Sequence, residues 1–270
     1  MTMIRVGVGG WVFAPWRGTF YPKNLPQARE LEYASRQLTS IEINGTFYGS
    51  QKPTSFRRWH DETPEDFVFS LKGPRFATHR RDLSEAGESI GRFFASGVLE
   101  LGKKLGPVLW QFPGTKRFEP EDFGAFLAQL PASIEGRSIR HVVEVSHASF
   151  AAPSFIELLR KHGVALALVD SADRPPVFDL TADFVYGRLR RSSEEEPTGY
   201  SPSAVDAWAK RFETWATGGE PHDLPRVHSE PAPAAKARDC FVYFISGAKE
   251  RAPAAAQSLL QRLGNTHIKA

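Results

Sequence analysis

One cysteine, Cys240, stands in a chain of 270 residues. A lone thiol excludes an internal disulfide framework, and no cysteine or histidine has a partner at zinc-finger spacing. No apolar run approaches the roughly 18 residues of a membrane-spanning helix. The stretch from Met1 to Val6 runs straight into a strand-like segment and lacks the apolar core of a secretory signal, so a cytoplasmic protein is expected. Charge of one sign is also scarce: the formal net charge is +3 and the pI near 9.0. That mild bias permits a phosphate-bearing or nucleic-acid partner without demanding one. With 41% hydrophobic and 24% charged residues, the composition excludes a disordered, collagen-like or coiled-coil chain.

Aromatic side chains, by contrast, are plentiful, with 20 Phe and 6 Trp, and most of that apolar area belongs in a core. Short β-rich runs at 4–9, 40–44, 67–72, 107–111, 141–144, 164–170, 184–188 and 240–245 alternate with helical patterns. Ala28, Leu31, Ala34 and Leu38 share one helical face, and 53–60 fits a short second helix. Ser84 is placed to cap a long third helix with Ile90, Phe93, Phe94, Val98, Leu101 and Leu105 as its buried stripe. Phe123, Phe126, Leu127 and Leu130 mark a fourth. Pro153 and Gly163 bracket a fifth, Ser201-Pro202 opens one carrying Val205, Trp208, Phe212 and Trp215, and 253–263 forms the last.

Eight β/α units in this length predict a single TIM (β/α)8 barrel over 1–270, with eight parallel strands. Only the sixth β/α connection lacks a clear helix, since Pro175-Pro176 argues for an irregular loop. A doubly wound open sheet is the competing arrangement. It would usually carry a G-x-G-x-x-G fingerprint, which Gly7-Val8-Gly9-Gly10 does not match. A polar loop at 191–200 and a long Gly/Pro/Ala-rich connection at 217–239 stand outside the repeat, and the second is expected to be mobile.

In such barrels the active site forms at the C-terminal ends of the strands. Polar residues fall at nearly all of those positions: Glu42 and Asn44, Lys72, Gln111, Glu144, Asp170, Arg188 and Arg190, and Ser246. Strand alternation puts Glu42 and Asn44 on the face opposite Ile41 and Ile43, hence inside the barrel, and the same reasoning directs Glu144, Asp170 and Arg188 inward. Carboxylates and cations converging on one mouth must pair or serve a site. The plainer readings are that Glu42 pairs with Arg188 or Lys72 merely to close the barrel, and that Asp170 caps a loop. In the same vein, Thr78–Arg81 would be an exposed approach to a helix, Trp11 and Trp16 packing residues, His141 and His147 structural, and Cys240 inert.

These residues resemble the YecE-like family, domain of unknown function 72, over nearly the whole chain. Gly7, Gly10-Trp11, Trp16, Gly18 and Phe20-Tyr21-Pro22 match its opening motif, and Glu42-Ile43-Asn44 with Thr46-Phe47-Tyr48 its second. Lys72 with Pro74, Thr78-His79, Leu105-Gly106-Pro107 and Gln111-Phe112-Pro113 match its central motifs. The resemblance implies a TIM barrel and no established reaction. The second half departs from it. Ser146 and Phe150 stand where the family commonly has arginine and tryptophan, Arg190 where it has histidine, and Ile245-Ser246 where it has paired asparagines. A divergent subgroup with a changed ligand is expected.

The leading expectation is a hydrolase- or lyase-like enzyme on a phosphorylated or otherwise anionic substrate. Glu42 and Glu144 would be acid and base, with Asp170 orienting one of them. Lys72, His79, Arg188 and Arg190 would hold the anion, while Trp11, Asn44, Tyr48 and Gln111 orient the ligand. The alternative is a non-catalytic nucleic-acid-binding protein, with Arg75, Arg80, Arg81, Arg190 and Arg191 on phosphates and Trp11 or Tyr48 stacked on a base. A metal-dependent phosphodiesterase is the third reading. No cofactor or metal ligand is predicted, although barrels can assemble a divalent-metal site from distant strands. Glycoside hydrolysis fits the paired carboxylates but not the basic rim.

Overall fold

Runs such as Leu166-Ala167-Leu168-Val169 are apolar on both faces, the pattern of a parallel strand covered on each side. In the computed structural model, which describes residues 3–174, 176–232 and 237–264, such strands close a barrel. They are β1 (Ile4–Gly9), β2 (Ser40–Ile43), β3 (Val68–Lys72), β4 (Leu105–Gln111), β5 (His141–Glu144), β6 (Ala165–Asp170), β7 (Phe184–Leu189) and β8 (Asp239–Phe244). Each pairs in parallel with its sequence neighbour, and β1 meets β8 with Ile4 beside Cys240 and Val8 beside Phe244. The fold is the expected TIM barrel. An antiparallel ribbon of Ser133–Ile134 and Arg137–Ser138 lies outside it.

Helices α1 (Glu30–Gln37), α2 (Pro53–Glu62), α3 (Gly87–Ala95), α4 (Pro120–Ala128), α5 (Pro153–His162), α6 (Pro202–Ala216) and α7 (Ala252–Arg262) alternate with the strands. Proline opens α2, α4, α5 and α6, where its missing N–H costs no hydrogen bond. Among the described residues no helix joins β6 to β7, as the sequence predicts; Pro175 itself lies outside them.

Two expectations are corrected. The long helix capped by Ser84 is instead three pieces. Asp82 is the cap, accepting the Ser84 amide at 2.9 Å ahead of a 3-10 turn, and Gly97 ends the helical run after α3 with φ 103°. A Cβ on Gly97 would sit 2.7 Å from Pro53 Cα, so a glycine lets this turn approach α2. The connection at 217–239 is tied down rather than loose over its described part. Asp179 accepts the amides of Val227 and His228 at 2.8 and 2.9 Å, Pro225 O accepts from Phe178 N, and Glu220 pairs with Arg226. Residues 233–236 of that connection lie outside the described residues.

The core sits mainly between strands and helices. Trp16, Trp110, Phe112, Phe123, Phe126, Phe155 and Trp215 are buried there. Trp16 donates Nε1–H to Lys249 O at 2.9 Å, joining the first loop to the last. Cys240 is buried and its thiol is pushed up to about 12 by burial, consistent with an inert core residue.

Candidate active site at the barrel mouth

Alternation along β2, β3, β5, β7 and β8 sends every second side chain into the barrel. The lower interior is apolar, with Leu109, Val142, Ala165, Ala167, Phe184 and Phe241 packed together. Above it comes a hydroxyl layer: Tyr243 shares a hydrogen bond with Ser40 at 2.7 Å, and Tyr186 with Ser70 at 2.8 Å. Tyr186 then donates to Glu42 Oε2 at 2.7 Å, leading from the core into a charged tier.

Arg188 is the centre of that tier. Its Nε and Nη2 fork onto Glu42 at 3.1 and 2.9 Å, and its Nη1 donates to Glu144. Arg188 is 2% exposed and both carboxylates 0%. Burial alone would pull the Arg188 pKa down, but Glu144 and Glu42 more than offset it and the net shift is upward. The remaining Glu144 oxygen accepts from Gln111 Nε2 at 2.8 Å and from Arg174. Burial would raise the Glu144 carboxyl, yet the two guanidiniums and Gln111 hold it at about 2. It stays ionised at neutral pH.

Lys72 ends β3 beside this trio, 7% exposed, with Nζ 4.0 Å from the centroid of the Phe47 ring. Burial and the neighbouring Arg188 depress its pKa to about 8, against the pull of Glu42 and Glu144. The short turn Gly45–Tyr48 that follows β2 delivers Phe47, whose other contacts are Tyr48 and His79 at 5.1 and 5.5 Å between centroids. His79 is exposed, its pKa lowered by partial burial and then by Arg75 and Lys72. Asn44 reaches across to β1, where a Cβ on Gly9 would lie 2.8 Å from its Nδ2. Arg190 donates Nε–H to Ser246 Oγ at 2.9 Å, while its buried Nη1 has no partner among the described residues. Burial and then Arg174 lower its pKa, and Glu144 opposes them.

Eight of the residues expected at the site therefore gather: Glu42, Asn44, Lys72, His79, Gln111, Glu144, Arg188 and Arg190, with Tyr48 at the exposed edge. Two do not. Val169 packs into the barrel interior, so the next residue, Asp170, points toward the helices. There it accepts from Tyr200 Oη at 3.0 Å beside Trp208 of α6, and burial raises its pKa. It cannot orient Glu42 or Glu144. Trp11 packs edge-on against Trp59 of α2 and against Phe69, on the outside of the barrel.

Arg174, Phe47 and Tyr186 also join this cluster, and the sequence alone does not single them out. Arg174 reaches Glu144 from the helix-free connection, where the sequence has no period to point to it. Two of the departures from the family pattern meet each other, Arg190 on Ser246. Phe150 is simply core, 2% exposed within a cluster of Phe118, Phe123 and Phe155.

His141 and His147 are structural. Trp110 Nε1–H donates to His141 Nδ1 at 3.1 Å and the other ring nitrogen faces Pro131 O, while burial lowers the ring to about 4. His147 Nδ1 accepts the Ser149 amide at 3.1 Å. Among the described residues no group of three His, Cys, Asp or Glu is arranged to hold a metal ion. No helix of the described residues is long and apolar enough to cross a membrane.

Comparison with known proteins places this geometry in a family. The profile of a family described as "Protein of unknown function DUF72" matches residues 5–270. UPF0759 protein YecE of Escherichia coli K12 is 28% identical over 177 residues, 63% of this chain and 60% of that one. UPF0759 protein YunF of Bacillus subtilis is 30% identical over 116 residues, 41% of this chain and 40% of that one. The matches thus span 60% or less of these relatives' lengths. Among solved structures, a DUF72 family protein of Thermotoga maritima superposes with a TM-score of 0.73 at 23% identity, covering 97% of this chain and 99% of its own. One from Enterococcus faecalis gives 0.72 at 17% identity, covering 97% and 96%. These likenesses show the barrel fold.

Proposed function

Because the chain belongs to the DUF72 family, whose description names no reaction, its own barrel mouth has to carry the functional reading, and we propose an acid/base enzyme acting on a small anionic, phosphorylated substrate. One observation carries this reading: a buried guanidinium nitrogen of Arg190 lacks an acceptor among the described residues. The surroundings agree. Four cations, Lys72, Arg174, Arg188 and Arg190, face three carboxylates: Glu42 is engaged by Arg188, Glu144 by Arg188 and Arg174, and Asp173 acts on Arg174 and Arg190 from the loop. A phosphate oxygen would satisfy Arg190 and neutralise the excess charge.

The roles change from those expected of the carboxylates. A general acid must hold a proton near the working pH, and Glu144 at about 2 does not. Lys72, near 8, is suited to exchange one. Arg190 and Arg174 hold the anion, and Asn44 and Gln111 orient the rest of the substrate.

Calorimetric titration with inorganic phosphate and sugar phosphates tests the reading on wild type and Arg190→Gln. Loss of a charged hydrogen bond predicts roughly 10- to 100-fold weaker binding in the variant. Equal binding by both proteins overturns the anion site.

Nucleic-acid binding draws on a different place. A cleft of about 1170 Å³ at the N-terminal end of the barrel is lined by Arg5, Lys103, Arg137, Arg140 and Lys161 against Asp183 and Asp239. Salt-dependent oligonucleotide binding that Lys103→Glu with Lys161→Glu abolishes would favour this reading over the mouth.

A further inference from the structure

We propose that Lys72 is a nucleophile, forming an imine with an aldehyde or ketone that also carries a phosphate or carboxylate. The proposal rests on the anion-binding reading of the same mouth and adds the chemistry that the anion site would position.

Geometry carries it. Lys72 is 7% exposed, at the strand end where barrel enzymes place reacting groups. A structural buried lysine is normally tied to a carboxylate or to several carbonyls. Lys104 is such a case, its Nζ donating to His60 O, Thr63 O and Thr63 Oγ1. Among the described residues nothing of the kind holds Lys72. Its Nζ lies over the Phe47 ring, and the two nearby carboxylates are engaged by Arg188. The groups whose charge it feels are Arg188 and Arg190 on one side and Glu42 and Glu144 on the other, and its own charge acts on His79. Burial with neighbouring cations is the setting that raises the neutral, reactive fraction of a lysine amine, and its pKa near 8 agrees.

The step balances without a co-reactant. The amine lone pair attacks the carbonyl carbon and forms the C–N bond, while the carbonyl oxygen becomes a hydroxyl. The C–O bond then breaks, and the two hydrogens that leave nitrogen depart with oxygen as water. No atom is oxidised or reduced. Arg190 and Arg174 would anchor the anionic end, and the Phe47 face and the two glutamates would favour the positive charge of a protonated imine.

Cyanoborohydride trapping followed by peptide mass mapping tests this on the full chain. Pyruvate and glyceraldehyde 3-phosphate serve as anionic carbonyls and glycolaldehyde as the uncharged counterpart. The expected result is a reduced adduct on Lys72, formed at least about tenfold faster than on any other lysine. One of the two anionic carbonyls should give it and glycolaldehyde should not. Lys72→Met and Lys72→Arg should both lose the adduct, and both should keep the circular dichroism of the wild type, which shows that the fold is intact. Adducts spread evenly over surface lysines, or an unmodified Lys72, overturn the proposal. Phosphate titration of the same samples separates the two readings. Normal phosphate binding with Lys72 unmodified removes the imine and leaves the anion site standing. A Lys72 adduct without phosphate binding supports the imine and removes phosphate as the anchored group.

Discussion

The two faces of one set of strands follow different rules. Outward, Val6, Val8, Ile41, Ile43, Phe69, Leu71, Trp110, Val143, Leu168, Val185 and Val242 are 2% exposed or less and meet the helices with mainly apolar surface. Inward and toward the strand ends, Glu42, Arg188 and Glu144 are just as buried and fully ion-paired. The outward face stabilises through area removed from water. On the inward face the Coulomb gain is largely cancelled by desolvation, so such a trio adds little over apolar residues of similar size, while losing one member is severe. The helix-facing layer holds the barrel closed, and that leaves the mouth free to carry charges that stability alone would not select.

Breaking the inward trio should have the largest effect. Arg188→Met leaves the buried Glu42 without its ion-pair partner and Glu144 with Arg174 alone, and urea unfolding should register a loss on the order of 5 kcal/mol. Adding Glu42→Gln and Glu144→Gln to the same protein should restore most of it; a triple variant as unstable as the single one would show that the trio does hold the fold. Next comes the outward layer. Trp208 is 5% exposed between Phe178 and Phe212, and Trp208→Ala should cost about 3–5 kcal/mol in the same measurement. A loss below about 1 kcal/mol would contradict its burial.

Lys72 sharpens the contrast with a gain. Its folded pKa of about 8 lies below the ordinary 10.5, so between those values the unfolded chain binds more protons and stability rises with pH. Below about 8 the penalty is fully present. Lys72→Met should remove it, raising stability at pH 7 by on the order of 1 kcal/mol while weakening phosphate binding. An unchanged pH dependence between 8 and 10.5 in the variant would assign that slope to other groups. The smallest effect belongs to Asp170→Asn. An amide oxygen can still accept from Tyr200, so stability should change by less than about 1 kcal/mol, with phosphate affinity untouched. A clear loss of affinity would return Asp170 to the site.

Much of this contrast is legible in the amino-acid order. Ile-Glu-Ile-Asn at 41–44 assigns both faces of β2 by parity, and the same rule finds Lys72, Gln111, Glu144 and Arg188. Parity misleads at Asp170 because the apolar run before it gives no sign of which of Val169 and Asp170 points to the axis. Trp11 follows a glycine turn, where no periodicity says which way a ring swings. The Ser84 helix reads as continuous because its apolar spacing survives the break, and only the backbone shows Gly97 in the left-handed region. Arg174 lies in a segment without period, so nothing in the residue order points to it.

The ion pair between Glu42 and Arg188 joins residues 146 positions apart, and Trp16 reaches Lys249 across 233. Contacts of such separation form only after the entropy of closing long loops has been overcome. A chain folded as far as β4 would hold Glu42 without Arg188, Tyr186 or the β1–β8 seam. Its open interior would leave Glu42 to water and to Lys72, and the carboxylate is buried only once the remaining strands enclose it. The charged tier is complete only once β7 brings Arg188 to Glu42 and Glu144 and β8 closes the ring against β1, so the mouth depends on the last strands of the chain.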